Sequence, residues 1–251
     1  MLIAGAAAPA PGAAQPERAV ARGDSLMAAH RTEDAIAAYR QGLAGSSEDP
    51  ALLWKTSLAL SALAAETPGP GGDEPLLEEA VALAQRAVRA GPGISRAHTA
   101  LAVALGRYGR HLAYVYRIHR ARDVIALGGR AKAAAERATT LDPSDFAPYV
   151  FLGVFHRELA TVHPVAKTVA RRFLGGYPEV SLEESEVYLR RAIELAPDDV
   201  TARLELGRTY ARLEQEDAAR RELARVLSLP ARSRLDQVEQ EEARELLEEI
   251  R

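Results

Sequence analysis

Apolar and small residues recur along this chain at helical spacing, and the pattern itself comes back. Around residue 152 it runs Leu152-Gly153, Ser185, Leu189, Ala192 and Pro197. Around residue 206 it runs Leu206-Gly207, Tyr210, Ala219, Leu223, Val226 and Pro230. Fainter copies are Leu101-Ala102, Leu105, Ala131, Ala135, Ala138 and Pro143; Ala80, Ala84, Ala87 and Pro92; and Gly23, Leu26, Ala35, Tyr39 and Gly42. A small residue at a fixed place in an apolar stripe marks two helices that cross closely, because only Gly, Ala or Ser lets the backbones approach. Five such units predict a stack of paired antiparallel helices.

The helices are predicted over 18–27, 33–43, 52–64, 76–90, 95–105 with a continuation past Gly106 to Arg122, and 131–141. Ser144-Asp145 opens the next, which runs to about Thr161. Then come 165–173, a helix from Ser181 to Pro197, 200–213, 216–229 and 236–250. Pro68-Gly69-Pro70-Gly71-Gly72 reads as a loop insertion, and Gly128-Gly129 and Gly175-Gly176 as helix stops. Ser181 and Glu184 have capping-box spacing. In the last helix, Val238, Ala243, Leu246, Leu247 and Ile250 read as one stripe that closes the open end of the stack. No alternating β-branched run is long enough for a strand. Residues 1–16, rich in Ala, Pro and Gly, read as a disordered tail or signal-peptide remnant, and 17–251 as a single domain.

Composition narrows the chemistry. The 251 residues are 47% hydrophobic and 5% aromatic, with no cysteine, which excludes disulfides and thiolate metal sites. No apolar run reaches transmembrane length. The net charge of −3 is unevenly spread: residues 95–175 carry 13 basic and 5 acidic side chains, and residues 176–251 carry 12 and 19. A basic middle beside an acidic end suits an anionic partner, although solvated helix faces give the same pattern. The six histidines lack metal-ligand spacing. There is no phosphate-binding loop, nucleophile elbow or poised carboxylate pair. The chain therefore reads as non-enzymatic, with no cofactor and no metal. Arg107, Arg110, Arg117, Arg120 and Arg122 interleave with Tyr108, Tyr114 and Tyr116, but a sequence pI near 6.1 argues against nucleic acid. The compartment stays open, with export ahead of the cytoplasm. The oligomeric state is open too.

The repeated phrase resembles the tetratricopeptide repeat (TPR) over roughly residues 18–230, most closely at Leu152-Gly153, Ala192 and Pro197 and at Leu206-Gly207, Tyr210 and Ala219. The resemblance implies an all-α right-handed α–α superhelix with helical insertions and a C-terminal capping helix. Residues about 130–230 are similar to the C-terminal part of the regulator of microtubule dynamics family. The similarity rests on Leu152 to Ala160, an inserted segment ending Leu174-Gly175-Gly176-Tyr177-Pro178, and Ser181 to Pro197. With 29 Arg against 3 Lys the composition points to a GC-rich, bacterial source, so a microtubule role is not carried over.

In TPR proteins the first helix of each unit lines an inner groove. Counted from the Leu-Gly phrase, the matching positions bring up Arg96, Arg107, Arg157, Arg208 and Arg212. A guanidinium holds a carboxylate through a planar fork, so the expected function is a scaffold whose groove takes a protein or peptide, with acidic residues or a free carboxylate. The same arginines could instead pair with Glu158 and other acids inside the protein. The alternative function is an exported solute-binding or transport-accessory subunit whose pocket is closed by 108–128 and 161–178.

Overall fold

The computed structural model describes residues 14–66, 74–231 and 233–250. Most of the Ala/Pro-rich start and the whole Pro68–Gly72 insertion lie outside the described residues. Twelve α-helices follow in order: α1 (Ala14–Ala28), α2 (Thr32–Gly45), α3 (Pro50–Glu66), α4 (Glu74–Ala90), α5 (Ser95–Tyr116), α6 (Ala121–Leu141), α7 (Ala147–Ala160), α8 (Pro164–Phe173), α9 (Leu182–Leu195), α10 (Val200–Arg212), α11 (Glu216–Ser228) and α12 (Arg234–Glu249). A 3-10 turn at Arg117–Arg120 joins α5 to α6. No strand occurs among the described residues.

The helices pair as α1·α2, α3·α4, α5·α6, α7·α9 and α10·α11, with α8 inserted inside the fourth pair. Each first helix also packs on the first helix of the preceding pair, which turns a row of hairpins into an α–α superhelix. α12 meets both α10 and α11, so it occupies the place that the first helix of a sixth unit would take.

The small residues sit where the crossings are tightest. A methyl group on Gly153 would fall inside 3.0 Å of the Leu189 side chain, and one on Gly207 would lie 2.8 Å from Leu223 Cδ2. Gly23 faces the ring of Tyr39 in the same way, so the first, degenerate unit uses the same device. Ala102, Ala135, Ala192 and Ala219 are wholly buried at the equivalent junctions.

Three expectations need correction. Gly128-Gly129 is not a helix stop: α6 begins at Ala121 and runs through both glycines. With α5 it forms one long hairpin, held by Leu105, Leu112, Leu127 and Ala131. That packing outweighs the roughly 1 kcal/mol per residue that glycine costs a helix. The capping box is only half made. Ser181 Oγ accepts from the Glu184 N–H at 3.1 Å, but the Glu184 carboxylate turns to His156 Nδ1, 2.9 Å away. Finally, Val238 leaves the stripe of α12. It is 48% exposed, while Ala243 is buried and Leu246, Leu247 and Ile250 pack on the last core cluster.

Candidate functional site

The five arginines fall on α5, α7 and α10, each the first helix of its pair. Three of the five have a carboxylate partner within the chain. Arg96 Nε lies 2.8 Å from Asp145 Oδ2. Arg157 is buried and bonds Glu205 on α10 and Glu158 beside it, the latter at 2.7 Å. Arg208 reaches Glu205 at 2.7 Å and Glu242 of α12 at 2.5 Å. Arg107 and Arg212 have no hydrogen bond or ion pair to a carboxylate among the described residues; Arg107 is half-buried and Arg212 exposed.

The pairs join into a ladder, Glu158–Arg157–Glu205–Arg208–Glu242, that runs from α7 across α10 to α12. Burial alone would favour the neutral form of Arg157, but the charge and hydrogen bonds of Glu205 and Glu158 hold its pKa above the ordinary value. Burial likewise works against the Glu158 carboxylate. The Arg157 bond and charge, with the charges of Arg110 and Arg208, outweigh it and take the pKa below the usual range. Arg110 is thus close enough to act on the end of the ladder from α5. On Arg107, one turn earlier on α5, burial and then the like charge of Arg110 both act against the charged form and lower its pKa. Along this face four guanidiniums meet three carboxylates, and the uncompensated charge collects at Arg107 and Arg110.

Arg110 stood in the sequence as part of a basic, tyrosine-studded segment, and its place beside Arg107 was missed. The signal was present, since residues three apart share a helix face. The segment's aromatics are engaged elsewhere. Tyr108 OH donates to Glu74 and Glu78, and Tyr116 OH donates to Glu74 at 2.7 Å, which ties the far end of α5 to the start of α4. Burial and these carboxylates push the Tyr108 phenol up to about 12. Tyr114 alone stands out in water, 74% exposed.

Among the described residues no three His, Asp or Glu side chains converge as a metal site. His156 is 1% exposed, and its Nε2 has no hydrogen-bond partner. It packs on Tyr188 at 5.4 Å between ring centroids, as a core residue does. The pocket alternative asks α8 to act as a roof. Val165 and Phe173 would line that roof, yet they are 63% and 65% exposed.

A sequence model of the family described as regulator of microtubule dynamics protein 1-3 matches residues 19–251. Regulator of microtubule dynamics protein 1 of Bos taurus is 28% identical over 204 residues, covering 80% of this chain and 62% of the bovine protein. The Mus musculus protein of the same name is 26% identical over 239 residues, covering 93% of this chain and 74% of its own. Among solved structures, a thermophilic TPR protein of Thermus thermophilus superposes with a TM-score of 0.68 at 17% identity, covering 91% of this chain and 98% of that one. PilF of Pseudomonas aeruginosa gives 0.55 at 12% identity, covering 95% and 87%.

Proposed function

The chain belongs to the regulator of microtubule dynamics family, and from that premise we propose that it is a non-catalytic scaffold. In this reading it holds a protein or peptide partner in the groove of its superhelix. The supporting observation is Arg107, a half-buried guanidinium with no carboxylate of its own and a second cation, Arg110, beside it. A cation removed from water without a partner is costly, and a ligand carboxylate relieves that cost. Arg107 and Arg110 therefore anchor an acidic side chain or a free C-terminus. Arg157 and Arg208, already saturated, hold the groove walls in place. The inner face before the anchor is apolar by register, with Trp54 and Leu58 half-buried on α3, and it suits nonpolar residues of the same partner.

Labelled peptides that pair a short apolar stretch with glutamates test this reading by fluorescence polarisation. The acidic peptide is expected to bind, its glutamine counterpart to bind weakly, and Arg107→Ala with Arg110→Ala to weaken binding at least about tenfold, or 1.4 kcal/mol. Equal binding of the two peptides, or a variant that binds like the parent, would discard it.

A further inference from the structure

Two outward surfaces of this chain are left unmatched by the fold. The first is α8. It has no acidic residue and three cations, of which Lys167 donates to the Ala160 carbonyl, Arg171 lies over the Tyr177 ring and Arg172 is exposed; Val165 and Phe173 stand out in water at its two ends. Its outer arc presents Val165, Thr168 and Arg172, all exposed, and Arg172 has no partner among the described residues. The neighbouring start of α6 adds Arg122, whose guanidinium donates to the Phe173 carbonyl at 3.3 Å.

The second surface is α12, with seven acidic and two basic residues. At 100° per residue, Val238, Glu241, Glu245, Glu248 and Glu249 fall on one arc opposite the buried Ala243; Arg234 belongs to the same arc, and Glu241 is paired with Arg244. Leu235 is 58% exposed and Val238 48%. Glu245, Glu248 and Glu249 are exposed and have no partner among the described residues. Each surface thus sets bare apolar side chains among charges predominantly of one sign, and the two signs are opposite. Within one chain α8 packs on α6, α12 packs on α10 and α11, and α8 and α12 do not touch.

We propose that the cationic face of α8 docks on the acidic face of α12 of a second copy, so that copies associate head to tail. The complement of each face is present on every copy. An anionic membrane is the other surface that would suit α8. Because the two faces differ, the contact is heterologous and propagates unless it closes into a ring. A ten-residue helix is about 15 Å long, so the contact lies below the ~1,200 Å² of stable interfaces and is weak and concentration-dependent. This association is independent of the groove.

Sedimentation velocity tests it. At about 0.01 M salt, where charges are felt to ~30 Å, the average mass is expected to rise with protein concentration; at about 1 M, where the range is ~3 Å, the chain is expected to sediment as a monomer. Thr168→Glu with Arg172→Glu gives a molecule with two acidic faces, and Glu245→Arg with Glu249→Arg gives one without an acidic face. Each is expected to stay monomeric alone, and an equimolar mixture to sediment faster than either. All four positions are exposed, so unchanged thermal unfolding verifies the fold; Val165→Glu is a second probe of the basic face should the first variant loosen α8. A parent that stays monomeric at low salt overturns the proposal, as do variants that associate like the parent or a mixture that does not re-associate. Sedimentation with phosphatidylserine-rich vesicles by a chain that never self-associates would assign α8 to a membrane instead.

Discussion

Gly153 has no side chain because Leu189 already fills the space one would need, and Leu189, wholly buried, has nowhere to retreat. Cores packed at crystal density accept an extra methyl only by moving backbone or forcing rotamers. Gly153→Ala is therefore expected to cost about 1–3 kcal/mol by denaturant unfolding. A melt superimposable on the parent's would mean that the α7·α9 crossing is looser than described. This contact was legible in the sequence, since the Leu-Gly phrase and the partner leucine recur at fixed spacing. The partners of the arginines were not. Arg157 finds Glu205 forty-eight residues away on another pair, and no local spacing reports that. Glu239 of α12 is a second residue that composition hides. It is buried against α10, where Thr201 Oγ1 donates to both carboxylate oxygens at 2.9 Å. Burial first, and then Glu205, Asp199 and Asp236, raise its pKa to about 7. A carboxyl whose folded pKa lies above its unfolded value favours folding most when protonated. Its contribution is full at pH below the ordinary 4.5 and is lost as pH rises through about 7. Glu239→Gln keeps an acceptor for Thr201 and removes the charge. It is expected to stabilise by on the order of 1–2 kcal/mol at about pH 8 and by little at about pH 5, read from unfolding midpoints. An equal effect at both pH values would contradict the shift.

At the scale of elements, most helices were legible because apolar periodicity and capping chemistry agree with the packing that follows. Ser181 and Asp199 accept from the N–H groups of Glu184 and Ala202, as N-caps do, and α9 and α10 begin where those residues predict. The α5–α6 hairpin was misread because a Gly-Gly pair signals a stop locally, while the packing that overrides it lies on other elements. A methyl on Gly128 would lie 3.7 Å from the Phe155 ring of α7, whereas a methyl on Gly129 would meet nothing within 4 Å. Gly129→Ala is therefore expected to raise stability by about 0.5–1 kcal/mol, since it removes unfolded-state freedom at a helical position without a clash. Calorimetry checks this through the melting temperature. A lower value would show that the helix needs glycine there.

At the scale of the whole molecule, the superhelix followed from five repeats, and the family match over 19–251 extends well beyond the 130–230 stretch where the resemblance was read. The distribution of charge was legible as a sum and not as a geometry: a basic middle and an acidic end are visible in composition, whereas the ladder between them exists only once α7, α10 and α12 lie side by side. That ladder also has a mechanical side. From α7 onward, turning one unit against the next stretches a charged bond, because Arg157 and Arg208 each grip carboxylates on two successive helices. Between α3 and α5 no ion pair occurs among the described residues; Ala97, Ala100 and Ala104 share one buried apolar core with Leu53 and Leu60. Resistance to twisting in the last units is therefore directional and weakened by salt, whereas at the α3·α5 junction it comes from apolar contact and is indifferent to salt.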